Sequence, residues 1–293
     1  MKILVVGGNG FLGNEIFREL IDNGHDVIAM CRSASPSRGK NWVSADIGRP
    51  DTYRSFIGDW GPEVVVQSAW VTSQKTYRQS MENLYYSAGT LQFAKDCLQT
   101  GTNHFVGLGS SAEYGIQTVP CNAAETTPAP FDPYGQKKLE TLLELQDLTL
   151  AVGARLTWGR VFQPYGLGQD SERLIPWAVA RMVAGYNIEL QNPFKKLDWI
   201  SSRDIGRAIC WSITHNTPAV IDIGTAIGTN VHELLIQVAD ILEIKAQITY
   251  PISASDNEDN SQHLIVSGDS ALFQSGWLPA DSLHDGLKWA LGR

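Results

Sequence analysis

The sequence has no excess of positive charge. Its 293 residues include 23 Lys and Arg against 31 Asp and Glu, which gives a formal net charge of −8 at pH 7. Sequence-independent binding of nucleic acid needs clustered cations to neutralise phosphates, and a basic membrane anchor needs them on one helix face. The composition therefore argues against nucleic acid and against a membrane surface as partners. An anionic small ligand is not excluded, because a few well-placed donors are enough to bind it.

Cysteine clusters and long apolar runs are also absent. Cys31, Cys97, Cys121 and Cys210 are far apart in a sequence without a CxxC, and the six histidines lack metal-ligand spacing. We therefore expect buried, reduced thiols and no metal site. The apolar run Ile3–Val6 is too short for a signal-peptide core, and no run reaches the roughly 18 apolar residues that a membrane span needs. These absences favour a cytoplasmic protein.

Short apolar segments alternate instead with segments of helical period. Such alternation predicts βαβ units, and the apolar character of the strands indicates that both their faces are buried. The predicted fold class is α/β, with a doubly wound parallel sheet, helices on both faces and a smaller C-terminal α/β portion. The predicted strands are Ile3–Val6, Val27–Cys31, Trp42–Asp46, Val64–Val66, Phe105–Leu108, Arg155–Phe162 and Val220–Ile223. The predicted helices include Tyr77–Gln99, Leu174–Ala184, Asp204–Thr214, Val231–Leu242 and one that begins near Tyr134.

A glycine motif separates the first predicted strand from the first helical segment. Gly7, Gly10 and Gly13 form a GxxGxxG in this strand–turn–helix context. Glycine supplies the positive φ of a tight turn and lets the backbone approach a pyrophosphate, while the helix N-terminus offers unpaired N–H groups. The motif therefore predicts a dinucleotide site. We expect its glycine-turn members to be Gly7, Asn9, Gly10, Phe11, Leu12 and Gly13.

The residues after the second strand distinguish the two nicotinamide cofactors. A carboxylate there would bind the ribose hydroxyls of NAD, whereas this chain has Arg32, with Ser33 beside it and Arg38 close by. A guanidinium suits a 2′-phosphate, so the sequence favours NADP(H), with NAD(H) as the alternative. Asp46 either accepts a hydrogen bond from the adenine or caps the following turn. The expected cofactor site also includes Ile47 and Ala69.

A tyrosine and a lysine share one face of the helix that begins near Tyr134. Tyr134 and Lys138 stand at i and i+4. A nearby ammonium and an oxidised nicotinamide both stabilise a phenolate, which lowers the pKa of a tyrosine from its usual ~10. The pair therefore predicts a tyrosine that acts as a general acid or base beside hydride transfer, with Lys138 also holding the nicotinamide ribose.

Further segments make the sequence similar to a known family. They are Ser110–Gly115 after a strand, Glu125 and Pro128 ahead of Tyr134, Arg160–Gly166, Asp198–Asp204, Ile221–Gly224 and Gly276–Pro279. With the glycine motif and YxxxK, they resemble the extended short-chain dehydrogenase/reductase family, specifically its NAD-dependent epimerase/dehydratase group. The resemblance covers nearly the whole chain and implies a Rossmann-type sheet and an oxidoreductase.

The resemblance also implies site residues. Counting back from Tyr114 places the family's active-site hydroxyl on Ser110, and a one-residue gap would place it on Ser111. Asn83 falls where the family has a helical asparagine that orders water near the lysine. Gln163 stands in place of the asparagine in the segment that resembles RxFNxYG. The substrate-binding candidates are Ser110, Ser111, Gln163 and Arg173.

The resemblance implies two portions of the chain. Residues 1–164, completed by segments near 199–226, are expected to bind the dinucleotide. Residues 165–198 and 227–293 are expected to bind the substrate. The tract Ser253–Gln262 is a predicted loop without arginine, although sugar-nucleotide enzymes of the family often place a diphosphate-binding arginine nearby. This departure leaves the substrate class open. The remaining nearby cations that could bind a diphosphate are Arg173, Arg181, Lys195 and Lys196.

The expected function is that of an NADP(H)-dependent reductase acting on the keto group of a nucleotide-linked deoxy sugar, with Tyr134 as general acid. Three alternatives remain: a sugar-nucleotide epimerase, a reductase of a small non-nucleotide carbonyl, and a non-catalytic NAD(P)-binding regulator. A dehydratase is disfavoured because Ser111 and Ala112 follow Ser110 where dehydratases commonly carry Asp-Glu. The family also implies a homodimer formed by the helices near 77–99 and 134–150.

Overall fold

A parallel sheet forms the centre of the protein. The computed structural model describes residues 1–33, 41–71, 73, 76–251 and 264–293. The strands are β1 (Lys2–Val6), β2 (Asp26–Cys31), β3 (Trp42–Ser44), β4 (Val64–Gln67), β5 (His104–Ser110), β6 (Arg155–Val161), β7 (Gln163–Tyr165), β8 (Ile188–Glu189), β9 (Lys196–Ser201), β10 (Val220–Ile223), β11 (Gly228–Asn230) and β12 (Ile248–Thr249). The helices are α1 (Phe11–Asp22), α2 (Arg54–Trp60), α3 (Glu82–Gln99), α4 (Pro133–Val152), α5 (Leu174–Val183), α6 (Ser202–Thr214), α7 (Val231–Ile241), α8 (Ala271–Gln274) and α9 (Leu283–Ala290).

The order of the main sheet creates a crevice beside β1. The strands run β10-β6-β5-β4-β1-β2-β3, and every neighbouring pair is parallel. Val6 therefore lies beside Met30 of β2 on one side and Gln67 of β4 on the other. Connections leave β1 in opposite directions here, and ligands of such sheets bind outside the carboxyl ends of the strands at this switch point. The doubly wound α/β prediction is confirmed.

Helices cover both faces of the sheet. On one face, Ile16 and Leu20 of α1 pack with Ile205 and Ile209 of α6 in a single apolar cluster. On the other face, α3 and α4 contribute a second cluster, which includes Phe93, Cys97, Leu142 and Leu145. The burial of both faces explains why β1, β4 and β5 are almost continuously apolar.

One predicted helix begins later than its apolar pattern indicates. The pattern predicts helix from Tyr77, but α3 begins at Glu82 because residues 76–81 form turns. The side-chain amide of Asn83 donates to the carbonyls of Tyr77 (2.7 Å) and Ser80 (2.9 Å) and stabilises these turns. The prediction for residues 253–262 lies outside the described residues.

The C-terminal part forms a separate core. Parallel β7 and β9 continue into antiparallel β11, and β8 pairs with β12. Helices α5, α7 and α9 cover them around Ile175, Leu234 and Leu287. The division of the chain into two domains stays a prediction, although β10 from the predicted completing segment forms the edge of the main sheet.

Within the described residues, no helix has both the length and the apolar character to cross a membrane.

A buried carboxylate ties the C-terminal core to the main sheet. Asp198 of β9 accepts hydrogen bonds from the backbone and the hydroxyl of Thr225 (both 2.7 Å), and from the backbone N–H groups of Ala226 (2.9 Å) and Val266 (3.1 Å). These bonds satisfy a side chain that is fully buried. They hold the loop after β10 against the segment Leu264–Val266. Leu264 also lines a cavity at the carboxyl edge of the main sheet.

Candidate active site

A cavity of about 760 Å³ lies at the carboxyl edge of the main sheet. The glycine turn lines one end, and the ends of β5 and β6, with the start of α4, line the other. Sixteen of the site residues predicted from the sequence lie in its wall: Gly7, Asn9, Gly10, Phe11, Leu12, Gly13, Arg32, Asp46, Ile47, Ala69, Ser110, Ser111, Tyr134, Lys138, Gln163 and Arg173. Residues from distant parts of the sequence thus share one site because parallel strands end at the same edge.

The glycine turn has the geometry that the motif predicts. Gly7 has φ +77°, and its carbonyl accepts a hydrogen bond from the backbone N–H of Gly10 at 2.8 Å. A Cβ on Gly13 would lie 2.2 Å from that same carbonyl oxygen, so α1 approaches the turn more closely than any side chain allows. No side chain caps α1, and its first turn carries no acid. Its N-terminal N–H groups are therefore available to an anion in the cavity.

The edge of the cavity beside β2 carries an arginine and a carboxylate. Arg32 follows β2 and is exposed at the cavity wall, whereas Ser33 is exposed outside it. Arg38 lies outside the described residues. Asp46 accepts bonds from the backbone N–H of Gly48 (3.0 Å) and from the hydroxyl of Tyr85 (2.6 Å), which raises the pKa of Tyr85 to about 12. Asp46 therefore caps its own turn and also faces the cavity.

Ser110 and Tyr134 meet where β5 ends and α4 begins. The Ser110 hydroxyl accepts a hydrogen bond from the backbone N–H of Ala112 (3.2 Å) and is also hydrogen-bonded to Tyr134. The same hydroxyl can still donate one hydrogen bond, to Tyr134 or to a ligand in the cavity. Burial raises the pKa of Tyr134, and the bond to Ser110 acts in the opposite direction. Asp132 caps α4 through the N–H of Gly135 (2.7 Å) and so holds Tyr134 in the first turn.

Lys138 is buried one turn further along α4. Its ammonium group donates to the carbonyl of Leu108 (2.7 Å) and lies 3.7 Å from the centre of the Trp70 ring and 5.9 Å from that of Tyr134. Burial lowers the pKa of Lys138 to about 7. A small change in its surroundings therefore changes its charge near neutral pH.

Asn83 lies behind the cavity wall and does not line it. Its side-chain oxygen accepts a hydrogen bond from the indole N–H of Trp70 at 2.8 Å, and its amide hydrogens bind the turn before α3. Asn83 is thus placed to hold the ring that covers Lys138. Trp70 lines the cavity wall, and its ring also stacks on Tyr86 with centroids 6.1 Å apart.

Three cations line the end of the cavity that is distant from the glycine turn. Arg173 and Lys195 are candidate diphosphate-binding cations from the sequence, and the structure adds Arg78 from another segment. The guanidinium carbons of Arg173 and Arg78 lie 4.9 and 5.4 Å from the ring centre of Tyr77, and that ring packs edge-to-face on Tyr134 at 5.0 Å. Arg78 also pairs with Asp132. No local motif marks Arg78 or Lys195, because only the tertiary fold brings them to Arg173.

Comparisons with known proteins agree on one family. A sequence model of the NAD dependent epimerase/dehydratase family matches residues 3–224. The UDP-glucose 4-epimerase of Azospirillum brasilense is 24% identical over 98% of this chain and 89% of its own length. The dTDP-6-deoxy-L-talose 4-dehydrogenase (NAD(P)(+)) of Kitasatospora kifunensis is 24% identical over 98% and 93%.

Solved structures share the fold over the whole chain. The Thermotoga maritima UDP-glucose 4-epimerase with UDP-glucose superposes with a TM-score of 0.86 at 24% identity, covering 100% of this chain and 98% of that one. RMD from Pseudomonas aeruginosa, complexed with NADPH, gives a TM-score of 0.79 at 21% identity over 99% and 97%. At these identities the likeness shows the fold, here a Rossmann-type sheet with a C-terminal portion.

Replacing Gly13 by alanine tests the close approach of α1 to the turn. The added Cβ would collide with backbone atoms of Gly7, so we expect the free energy of unfolding to fall by about 1–3 kcal/mol. Gly58→Ala in α2 is the matched control, because its Cβ meets nothing within 4 Å and should raise stability by up to about 1 kcal/mol. Urea titration of both variants measures the difference, and equal stabilities would contradict the close packing.

Proposed function

The chain belongs to the NAD dependent epimerase/dehydratase family, and on that premise we propose that it is an NADP(H)-dependent oxidoreductase that reduces the keto group of a nucleotide-linked sugar. The observation that carries the proposal is the convergence of Ser110, Tyr134 and Lys138 on one cavity with the glycine turn. The three side chains line the same cavity, and a polar cluster that includes a lysine of lowered pKa is typical of catalytic sites.

The cavity fits a nicotinamide dinucleotide. The uncapped N-terminus of α1 and the close approach of Gly13 to Gly7 suit a pyrophosphate, and Asp46, Ile47 and Ala69 line the cavity beside them. Lys138 lies where its ammonium can hold the nicotinamide ribose. When bound, the reduced cofactor would supply the hydride.

Arg32 is the basis for preferring NADP(H). It occupies the cavity wall directly after β2, where a carboxylate would bind the ribose hydroxyls of NAD. A guanidinium there would pair with a 2′-phosphate. Solved relatives have been captured with either cofactor: one UDP-glucose 4-epimerase, from Thermus thermophilus, with NAD and RMD with NADPH. The preference therefore depends on this chain's own arginine.

The protonation of the site suits reduction. Burial keeps Tyr134 as the neutral phenol, so its proton is held until the substrate's carbonyl oxygen gains electrons. The Ser110 hydroxyl would donate to the same oxygen, as a preorganised dipole does at a developing oxyanion. The charged form of Lys138 would stabilise the phenolate that remains, and this form is lost as the pH rises through about 7. Reduction should therefore slow above neutral pH.

The three cations at the far end of the cavity support an anionic substrate. Arg78, Arg173 and Lys195 line one wall in a protein whose net charge is −8. A nucleotide-linked sugar carries its diphosphate at a fixed distance from the keto group, and guanidinium groups bind phosphate oxygens well. These residues would replace the arginine that sugar-nucleotide enzymes often place near residues 253–262, a tract in which this sequence has none.

An epimerase is the second candidate, and similarity to known proteins favours it. Several of the matched relatives are UDP-glucose 4-epimerases, although one is a 4-dehydrogenase that uses NAD(P)(+). Reductase and epimerase use the same Ser-Tyr-Lys constellation and differ in whether the cofactor is consumed. An epimerase returns the hydride to its substrate, so the cofactor absorbance does not change with turnover.

Oxidation of NADPH in the presence of keto-sugar nucleotides tests the proposal. We expect steady loss of absorbance at 340 nm with the parent protein. Tyr134→Phe should lower kcat about 10²–10⁴-fold, because it removes the acidic proton, while leaving NADPH affinity unchanged. Tyr186→Phe, at an exposed tyrosine remote from the site, is the control and should behave as the parent.

Each other outcome of that assay identifies a different function. Interconversion of UDP-glucose and UDP-galactose without net oxidation of cofactor would establish an epimerase. Turnover of small ketones but not of nucleotide sugars would make the carbonyl substrate non-nucleotide. NADPH binding without turnover of any substrate would identify a regulator, and undiminished turnover by Tyr134→Phe would remove Tyr134 from the mechanism.

Replacing Arg32 by aspartate tests the cofactor preference. A carboxylate repels the 2′-phosphate and can bind ribose hydroxyls, so we expect the ratio of kcat/KM for NADPH over NADH to fall by about tenfold or more. Arg18→Asp is the matched control, because Arg18 is an exposed arginine of α1 that pairs with Glu15. A ratio that does not change in Arg32→Asp would refute the role of Arg32.

We further propose that the chain forms a homodimer through α3 and α4. Leu84 and Tyr85 of α3 and Leu143 and Leu150 of α4 are exposed apolar residues on the helices that the family resemblance indicates. Their burial against a second copy would remove apolar surface from water. Sedimentation velocity should give twice the mass of the 32.2 kDa chain, and Leu143→Glu should lower the measured mass to that of a single chain.

A cytoplasmic location stays a prediction from the sequence.

A further inference from the structure

A fully buried glutamate lies directly beneath the active-site serine. Glu113 belongs to the short 3-10 turn Ser111–Tyr114 that follows β5 and has no exposed surface. Its carboxylate accepts hydrogen bonds from the backbone N–H of Ser110 (2.8 Å), from the indole N–H of Trp158 (3.0 Å) and from the guanidinium Nε of Arg160 (2.8 Å). Glu113 therefore joins the end of β5 to two residues of β6.

The contact with Ser110 is reciprocal. The Ser110 hydroxyl accepts from the backbone at the start of the turn, while the Glu113 carboxylate accepts from the Ser110 backbone. This capping box fixes both the backbone and the hydroxyl of the residue that meets Tyr134. The mechanism above requires the Ser110 hydroxyl to reach the substrate oxygen, and Glu113 is the side chain that holds the Ser110 backbone in place.

The charge of Glu113 reaches the catalytic pair. Its ionisable neighbours are Arg160 from β6, Tyr114 from its own turn, and Tyr134 and Lys138 from α4; Asp222 of β10 follows behind Tyr114. The Trp158 indole that donates to Glu113 has its ring centre 5.7 Å from the ammonium of Lys138. Burial raises the pKa of Tyr134 and lowers that of Lys138, and the negative charge of Glu113 raises both. Glu113 thus partly offsets the cost of burying the ammonium.

Asp222 offers a comparison within the same buried network. It accepts a hydrogen bond from the Tyr114 hydroxyl at 2.7 Å, and the Tyr114 ring lies 4.5 Å from the guanidinium carbon of Arg160. Burial raises the pKa of Asp222 to about 6. Asp222 is therefore a buried carboxylate of the same network that touches neither Ser110 nor Lys138.

We propose that Glu113 is a positioning residue of the active site, which fixes the backbone of Ser110 and serves, across the Trp158 ring, as the buried counter-charge of Lys138. The inference rests on the proposed function for its kinetic consequence, but its electrostatic part concerns the protein alone. Dehydratases of the family commonly carry Asp-Glu directly after the active-site hydroxyl, at the positions of Ser111 and Ala112 here, and Glu113 lies one residue further along. Its carboxylate is fully buried, so Glu113 does not act on the substrate as an acid.

Glu113→Gln removes the charge and keeps the size and a hydrogen-bond acceptor. We expect the pKa of Lys138 to fall by about one unit, measured by NMR of isotope-labelled lysine side chains and assigned with Lys138→Arg. The alkaline limb of the kcat profile should move down by the same amount, with NADPH affinity unchanged. Asp222→Asn removes the other carboxylate of the network isosterically and should leave the pKa of Lys138 where it is in the parent.

The readouts separate this inference from the proposed function. An unchanged Lys138 pKa in a folded Glu113→Gln protein, or an equal shift in Asp222→Asn, would overturn the inference and show that Glu113 only packs. Absence of turnover in the parent would overturn the proposed function and leave the NMR result intact. If Glu113→Gln does not fold because Arg160 loses its partner, Glu113→Gln with Arg160→Met removes the unpaired cation, and the same shift is expected of it.

Discussion

The burial of one ammonium group governs the arrangement of this site. Lys138 is almost entirely enclosed, and a charge in such surroundings is stable only where hydrogen bonds, aromatic faces and opposite charge replace water. The carbonyl of Leu108 and the ring of Trp70 supply the first two, and Glu113 supplies the third. Each of these partners depends on others in turn: Trp70 on Asn83, and Glu113 on Arg160. The charge of Lys138 therefore depends on a series of linked contacts, and the pKa of Lys138 lies at about 7.

Parallel strands explain how these groups come together. Ser110 ends β5, Arg160 stands near the end of β6, and Tyr134 and Lys138 lie on the helix between those two strands. In a parallel sheet all strands end at one edge, so residues separated by dozens of positions reach the same cavity. The cations at the far end come from three unrelated segments, and the C-terminal core holds one of them, Lys195, over that edge.

The residues that could be predicted from the sequence are those with local signatures. The glycine turn, the YxxxK pair and the strand-end serine each have a spacing that follows from the chemistry, and all of them line the cavity. Arg78 has no such spacing, because its partner Asp132 is 54 residues away. Glu113 stands at the capping-box spacing from Ser110, but its contact with Arg160, 47 residues away, has no local signature. Asn83 was predicted from family position, and only the structure shows that it acts on Trp70 rather than on the cavity itself. Helix α3 begins later than the apolar pattern predicts. The pattern continues through the preceding turns, which the side-chain amide of Asn83 stabilises.

The state of Tyr134 bears on the choice between reductase and epimerase. An epimerase begins by removing a proton from a substrate hydroxyl, so its tyrosine must be phenolate before the hydride moves. A reductase begins from the phenol and reaches the phenolate only after the proton has been donated. Burial opposes the initial phenolate here, although Arg173 acts in the opposite direction. The ammonium group of Lys138 lies 5.9 Å from the ring centre, and burial lowers the pKa of Lys138 to about 7. A phenol that keeps its proton is suited to donating it once, to an oxygen that a hydride has just made negative. The same residues would serve an epimerase if the bound oxidised cofactor contributed enough positive charge to stabilise the phenolate at the start of the reaction.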